Sequence, residues 1–122
     1  MQTAKEVHSV ISRMGVGYNY KGAVMVELAV KFAADEPDSL QLVTKCIYPR
    51  VARELGTTPQ RVERNIRTVI DTAWRESPEL LCRALDRQFR RRPTNAAFIS
   101  ALADRLYLDR SVLQDAVDKV DL

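Results

Sequence analysis

The sequence predicts an all-α fold, and two patterns support this class. Apolar residues recur three or four positions apart in every regularly patterned segment, which is the spacing of one helix face. No segment alternates apolar and polar residues over a useful length, as a half-buried strand would. The chain has 122 residues, of which 46% are hydrophobic and 29% charged, so we expect a single globular domain over residues 1–122.

The first two predicted helices lie before residue 35. One runs from Thr3 to Met14 and ends at Gly15, because glycine readily takes the backbone conformation that terminates helices. The next runs from about Tyr20 to Ala34. It is apolar around so much of its circumference that we expect it at the centre of the core. Val24, Leu28 and Phe32 form one side of this helix, and Val26, Ala29, Val30 and Ala33 broaden its apolar surface.

A third helix is expected between the polar break at residues 35–39 and Leu55. Ser39 or Asp38 can cap its start. Pro49 lies inside it and has no amide hydrogen to donate, so we expect the helix to be kinked or divided in two there. The last part carries a short apolar stripe made of Tyr48, Val51, Ala52 and Leu55.

A tight turn follows this stripe. Gly56 can end the preceding helix in the left-handed conformation, Thr58 can cap the next helix, and Pro59 fits its first turn. Thr57 with Gln60 forms a competing capping box, which leaves the start of the helix open by one residue.

The helix from about Pro59 to Trp74 separates an apolar face from a polar one. The apolar stripe is Val62, Ile66, Val69, Ile70 and Ala73, and the opposite side is Arg64, Arg67, Thr68 and Asp71, flanked by Arg61. Two amphipathic helices joined by a short turn containing glycine form a helix-turn-helix, whose second helix enters the DNA major groove. Arginine suits such a helix because its planar fork can bond both acceptors of a guanine. The competing interpretation is an ordinary helical hairpin with a solvated arginine face.

The distribution of charge favours a polyanionic partner more than the net charge of +3 does. Residues 45–75 hold seven basic and three acidic side chains, a local balance of +4, which leaves −1 for the remainder. Such a basic surface attracts phosphate and makes binding depend on salt.

Three more helical segments are expected downstream. The first follows the break at Glu76-Ser77-Pro78 and contains Leu80, Leu81, Ala84 and Leu85. The second is capped by Thr94 or Asn95 and contains Phe98, Ile99, Leu102, Ala103 and Leu106. The third is a C-terminal extension over residues 109–122, which either covers the core or packs on a second subunit. Between the first two, the run Arg87–Arg92 is as consistent with a solvated loop as with direct phosphate contact.

Cysteine and histidine usage gives no metal-binding pattern. Cys46 and Cys82 are far apart in sequence and His8 is the only histidine, so we expect neither a metal nor a cofactor. Both cysteines are expected to be buried thiols, with a disulfide as the alternative. No apolar run has the length of a membrane span and the N-terminus lacks a signal-peptide pattern, so the sequence predicts a cytoplasmic protein without a membrane partner.

Several separated motifs resemble one family, the DNA-binding effector domain of the sporulation-initiation response regulators known as stage-zero sporulation protein A. The resemblance covers about Val7 to Leu108. It is carried by Lys21-Gly22, Thr44-Lys45, Ile47-Tyr48-Pro49, Thr57-Thr58, Arg61-Val62-Glu63-Arg64, Ile66-Arg67, Ala73-Trp74, Pro93-Thr94-Asn95 and Phe98-Ile99. It implies a six-helix domain that binds a short box of the TGTCGAA type, forms a homodimer on paired boxes and regulates transcription.

The resemblance also implies the residues that contact double-stranded DNA. Arg61, Glu63, Arg64 and Arg67 match the family's recognition-helix positions; Glu63 would accept a hydrogen bond from a cytosine amino group, while Arg64 and Arg67 would read guanine. The full expected set is Thr58, Gln60, Arg61, Glu63, Arg64, Arg67, Lys45, Arg91 and Arg92.

The sequence departs from the family's usual pattern in three places. The receiver domain that normally precedes this domain is not in the sequence, which is expected for either a fragment or a stand-alone protein. The segment Arg75 to Leu85 matches the family's polymerase-contacting region poorly, so RNA polymerase is the least supported partner. The helix after Leu108 extends past the usual end.

The leading hypothesis is therefore a sequence-specific DNA-binding transcription regulator. The alternative is a protein-interaction module that uses the C-terminal helix to bind or modulate a related regulator. We do not expect an enzyme, because the chain has one histidine, no evident pair of carboxylates and no nucleophile motif.

Overall fold

The predicted all-α class is confirmed by a computed structural model that describes residues 2–16 and 21–108. Over these residues the chain forms helices and no strand. The α-helices are α1 (Gln2–Arg13), α2 (Lys21–Asp35), α3 (Tyr48–Leu55), α4 (Pro59–Glu76), α5 (Pro78–Leu85) and α6 (Asn95–Ala103). A 3₁₀ helix (Pro37–Leu42) and a π-helical turn (Val43–Ile47) connect α2 to α3, and a second π-helical turn (Asp104–Leu108) follows α6. The expected helix over 109–122 lies outside the described residues.

Helix α2 is the centre of the fold, as its composition predicts. It packs against α1, α4 and α6. Val26, Ala29 and Val30 are completely buried, whereas Val24 is 36% exposed. Val24 therefore lies at the edge of the apolar surface of α2, because the face with Val26, Ala29 and Val30 meets the other helices.

The first turn of α2 lies directly on α4. A Cβ atom added to Gly22 would overlap the backbone carbonyl oxygen of Asn65 and Cγ2 of Val69. Only a residue without a side chain allows this approach. The contact brings the N-terminal end of α2 to one edge of α4.

The segment before α3 lacks the predicted helix cap at its start. Ser39 is buried and its hydroxyl donates to the carbonyl oxygen of Glu36 at 2.6 Å, so neither Ser39 nor Asp38 caps a helix here. Pro49 lies in the first turn of α3, where no amide hydrogen is required, and the expected division of the third helix is confirmed. Leu55 is 40% exposed because it lies in the last turn of α3, beyond the buried part of the stripe.

Three other helix ends are formed by residues that the sequence predicts there. Gly15 and Gly56 have positive φ angles of 83° and 66° after α1 and α3. The hydroxyl of Thr94 caps α6 by accepting from the backbone N–H of Ala97 at 3.1 Å, which decides between Thr94 and Asn95.

The two cysteines differ from each other. Both are free thiols; Cys82 is buried as expected, but Cys46 is exposed. The expectation for Cys46 is wrong because it lies on the solvent side of the π-helical turn, whose buried residues are Val43 and Ile47. Within the described ranges, no helix is both long and apolar enough to cross a lipid bilayer.

Candidate nucleic-acid interface

The rotation of α4 is fixed by its apolar stripe. Val62, Ile66, Val69, Ile70 and Ala73 are all fully buried, as predicted. Since opposite faces of a helix are half a turn apart, the residues opposite this stripe face away from the core. Arg61, Arg64, Arg67 and Thr68 are accordingly exposed.

The start of α4 is held by the turn that precedes it. The Thr58 hydroxyl accepts a hydrogen bond from the backbone N–H of Arg61 at 3.2 Å, which confirms Thr58 as the cap and excludes the alternative start at Thr57. The first turn of a helix carries partial positive charge from its unpaired amides. The N-terminal end of α4 is therefore suited to an anion, next to the exposed Arg61.

The arginines on the outer face differ in their partners. Arg67 forms an ion pair with Glu63, with 3.2 Å between Nη1 and Oε1, and about half of its side chain is exposed. Among the described residues, neither the Arg61 nor the Arg64 guanidinium has an ion-pair partner. Arg61 and Arg64 are thus available to a ligand as they stand, whereas Arg67 and Glu63 are engaged with each other.

Beneath this face, Asn95 ties three helices together. Its Nδ2 atom donates to the backbone carbonyl oxygen of Glu63 in α4 and to the Tyr48 hydroxyl in α3, both at 3.0 Å. Asn95 itself begins α6 and is only 8% exposed. Burial raises the pKa of Tyr48, so the phenol keeps its proton and Asn95 meets a neutral acceptor. These bonds set the position of the first half of α4 relative to α3 and α6.

The basic run between α5 and α6 is partly engaged in ion pairs. Arg92 bonds Asp71 of α4 at 2.7 Å, and Arg87 bonds Asp104 at 3.1 Å. Arg91 is exposed. The structure therefore brings Arg92 to α4, as a DNA-contacting loop requires, while Asp71 already neutralises part of its charge.

The structure brings some expected site residues together and not others. Thr58, Gln60, Arg61, Glu63, Arg64 and Arg67 lie on the first three turns of α4 or at its cap. Lys45 is exposed on the π-helical turn before α3 and, among the described residues, makes no bond to α4. Its contact with DNA stays a prediction.

The bonds made by Asn95 were not predicted. Apart from its place in the motif Pro93-Thr94-Asn95, Asn95 was expected only as an alternative cap for α6, although Thr94 beside it is an equally good capping residue. Two adjacent capping residues cannot both cap one helix, and that redundancy was the available signal that Asn95 has another partner. In the described part of the chain, no cluster of histidine, cysteine or acidic side chains could hold a metal ion.

A protein-family comparison covers the segment that contains these residues. A family model described as the sporulation initiation factor Spo0A C terminal matches residues 7–106. The matched range contains most of α1, all of α2 to α6, the turn at Gly56 and the basic loop.

Proposed function

The chain belongs to the Spo0A C-terminal family, a DNA-binding domain of a sporulation regulator, and we propose that it regulates transcription by inserting α4 into the major groove of specific DNA sites. A helix with its side chains is about as wide as that groove, so α4 fits it lengthwise.

One observation carries this proposal. Arg61, Arg64 and Arg67 are all exposed on one side of a helix whose other side is completely buried. A helix anchored in this way presents its guanidinium groups in a fixed order, which is what base readout needs.

Within that complex we assign different roles to the outer residues. Arg64 lies near the middle of the outer face with no ion pair to break, and it reads a guanine through a bidentate contact. Glu63 accepts from a cytosine amino group and Arg67 reads a second guanine, once the ion pair between them opens or is shared with the bases. Gln60 and Arg61, at the start of the helix, contact the bases or phosphates nearest to it.

The remaining expected residues contact phosphates and position the helix without reading sequence. Thr58, Lys45, Arg91 and Arg92 belong to this group. Arg92 has to share its guanidinium between Asp71 and a phosphate, so its contribution is smaller than that of Arg91.

The proposal is tested by replacing Arg64 with alanine and titrating a duplex that contains a TGTCGAA-type box. Arg64→Ala is expected to cost about 1–3 kcal/mol of specific binding and to relax base preference at one position. The matched control is Arg13→Ala, which removes the same charge from an exposed position on α1, a helix outside the helix-turn-helix. If the two variants lose the same small affinity for box and non-box duplexes alike, base readout by α4 is wrong.

We also propose that two copies bind on paired boxes. A two-box duplex should then bind the second copy more tightly than an isolated box does, and only when the spacing between boxes follows the helical repeat of DNA. Inserting five base pairs between the boxes places them on opposite sides of the duplex. Unchanged binding of the second copy after that insertion would show that the copies bind independently.

A further inference from the structure

We propose that a groove along one edge of α4, beside Lys21, receives the sugar-phosphate backbone of the DNA strand next to the major groove that α4 enters. The inference rests on the proposed function, because it adds a phosphate contact to the same complex. It assigns this contact to α2, which lies outside the helix-turn-helix.

The groove lies between the first turn of α2, the turn around Gly56 and the start of α4. It has a volume of about 550 Å³ and is partly open to solvent. Its lining includes Lys21, Val24, Leu55, Thr57, Arg61 and Asn65. The groove is part of the fold because Gly22 lies against the backbone of Asn65, which fixes Lys21 beside α4.

The charge of the lining favours an anion. Lys21 and Arg61 are its charged side chains, both are exposed, and no carboxylate lines the groove. Among the described residues, neither cation has an ion-pair partner. The Asn65 amide is already used, since its Nδ2 donates to the Arg61 carbonyl oxygen at 2.8 Å. Two uncompensated cations facing one groove attract a chain of negative charges.

The apolar part of the lining favours an anion that also carries carbon atoms able to cover it. Val24 and Leu55 are 36% and 40% exposed and lie in the same groove as the two cations. A backbone in which phosphates alternate with deoxyribose places carbon atoms between its charges, so it can cover the aliphatic groups while it reaches both cations. An acidic peptide with aliphatic residues is the competing occupant, and the test below distinguishes the two.

The position of the groove favours DNA over a peptide. Arg61 belongs both to the groove and to the exposed face of α4, so an occupant of the groove lies next to whatever α4 contacts. Asn65 lies on the edge of α4 that borders the groove. Glu63 is two residues earlier and therefore about 200° away around the helix axis, on the edge where Asn95 bonds to α4. The loop with Arg91 and Arg92 leads into that second edge. Cations at both edges match the two phosphate backbones that border a major groove.

The experiment compares Lys21→Ala with Lys31→Ala. Lys31 is exposed on the same helix, ten residues further along and outside the groove, so it is a matched charge control. A lysine in the first turn of a helix is unfavourable for the helix dipole, so Lys21→Ala should not unfold α2. Each variant is titrated against a box duplex and a non-box duplex at several salt concentrations, with Arg64→Ala in parallel.

We expect Lys21→Ala to weaken binding to both duplexes by a similar factor, without changing base preference. The slope of the logarithm of the binding constant against the logarithm of the salt concentration should become shallower by about one. Lys31→Ala should change neither. Duplexes with a single neutral methylphosphonate, placed successively outward from the box, then locate the contact. At one position the methylphosphonate should weaken DNA binding by the wild type but should not weaken binding by Lys21→Ala any further, because that variant has already lost the contact.

The other outcomes overturn the inference in distinguishable ways. If Lys21→Ala binds like the wild type while Arg64→Ala loses base preference, the groove is not a phosphate site and the proposed function stands. If Lys21→Ala weakens only the box duplex, Lys21 reads bases and the assignment to phosphate is wrong. If the wild type binds no duplex at low salt, both proposals fail. Saturable binding of a peptide of alternating glutamate and leucine, lost in Lys21→Ala but not in Lys31→Ala, would then identify the competing occupant.

Discussion

The ion pair between Glu63 and Arg67 is a contact that the proposed base readout has to open or share. It joins two side chains that we assign to different bases, and it lies on the exposed side of α4. With the glutamate one turn before the arginine, the pair has the favourable orientation, but an exposed pair of this spacing stabilises a helix by only about 0.2–0.5 kcal/mol. That amount is small compared with a bidentate base contact. DNA can therefore open the pair at little cost.

We predict that Glu63→Gln leaves the free energy of unfolding within about 0.5 kcal/mol of the wild type, because only an exposed pair is lost. The variant should bind non-box duplexes more tightly, since it removes a carboxylate from the DNA-facing side and releases Arg67. Urea denaturation and titration of a non-box duplex measure the two effects. A destabilisation well above 1 kcal/mol would show that the pair is structural and does not open for DNA.

The Thr58 hydroxyl gives a second prediction at the residue scale. It satisfies one of the free amides at the start of α4, so Thr58→Ala should cost about 1 kcal/mol of stability. Thr68→Ala is the matched control, because the Thr68 hydroxyl only donates back to the Arg64 carbonyl in the middle of the same helix. Urea midpoints compare the two. Equal midpoints would mean that the cap adds nothing to stability.

At the scale of helices, the position of α4 depends on α6 through one amide. Asn95 bonds the backbone of Glu63 and the hydroxyl of Tyr48 from a buried site. Its loss leaves the buried Tyr48 hydroxyl without this donor and removes a second bond from the Glu63 carbonyl, which keeps its bond within α4. An unsatisfied buried group costs about 1–3 kcal/mol. Because the bond to Glu63 is made to the α4 backbone, its loss also frees α4 to shift relative to the rest of the domain.

We predict that Asn95→Ala loses about 1–3 kcal/mol of stability and, at a temperature where it is still folded, loses more affinity for box than for non-box DNA. Base contacts require α4 to be placed accurately, whereas phosphate attraction tolerates a shift. Gln41→Ala is the control, since it removes an exposed amide from the 3₁₀ helix before α3, outside α4 and the groove beside it. Equal loss on both duplexes would limit Asn95 to a role in stability.

Tyr48 adds a pH dependence to the same cluster. Burial raises its pKa above the ordinary value of 10.0, so the unfolded chain releases this proton at lower pH than the folded protein does. The stabilisation is therefore complete below about pH 10 and is lost as pH rises through the pKa of the folded state. We predict that stability, followed by urea denaturation from pH 8 to 11, falls more steeply in the wild type than in Tyr48→Phe. Parallel curves would show that this phenol is not buried enough to matter.

At the scale of the whole molecule, the features that depend on neighbouring residues were predictable from the sequence and those that depend on distant residues were not. The stripe from Val62 to Ala73 follows from the spacing of apolar residues within one segment. The turn at Gly56 follows from the backbone conformation that glycine readily adopts. The partial exposure of Val24 and Leu55 was not predicted, because it depends on how α2 and α3 meet other helices. The pairs of Arg92 with Asp71 and of Asn95 with Tyr48 join residues 21 and 47 positions apart, which periodicity cannot relate.

The contact between α2 and α4 gives the last prediction. Alanine is normally better than glycine in a helix by about 0.5–1 kcal/mol, but at Gly22 the new methyl group would overlap the Asn65 carbonyl and Val69. A backbone carbonyl cannot rotate away as a flexible side chain can, so α2 has to move. We therefore predict that Gly22→Ala lowers the free energy of unfolding by about 1–3 kcal/mol, as overpacked sites do. The move should also displace Lys21 and weaken binding to box and non-box duplexes alike.

Ala34→Gly, near the other end of α2, is the control. It measures how much alanine stabilises α2 relative to glycine at a position without such an overlap. If Gly22→Ala is instead as stable as the wild type, the two helices are not in close contact there, and the placement of Lys21 beside α4 loses its basis.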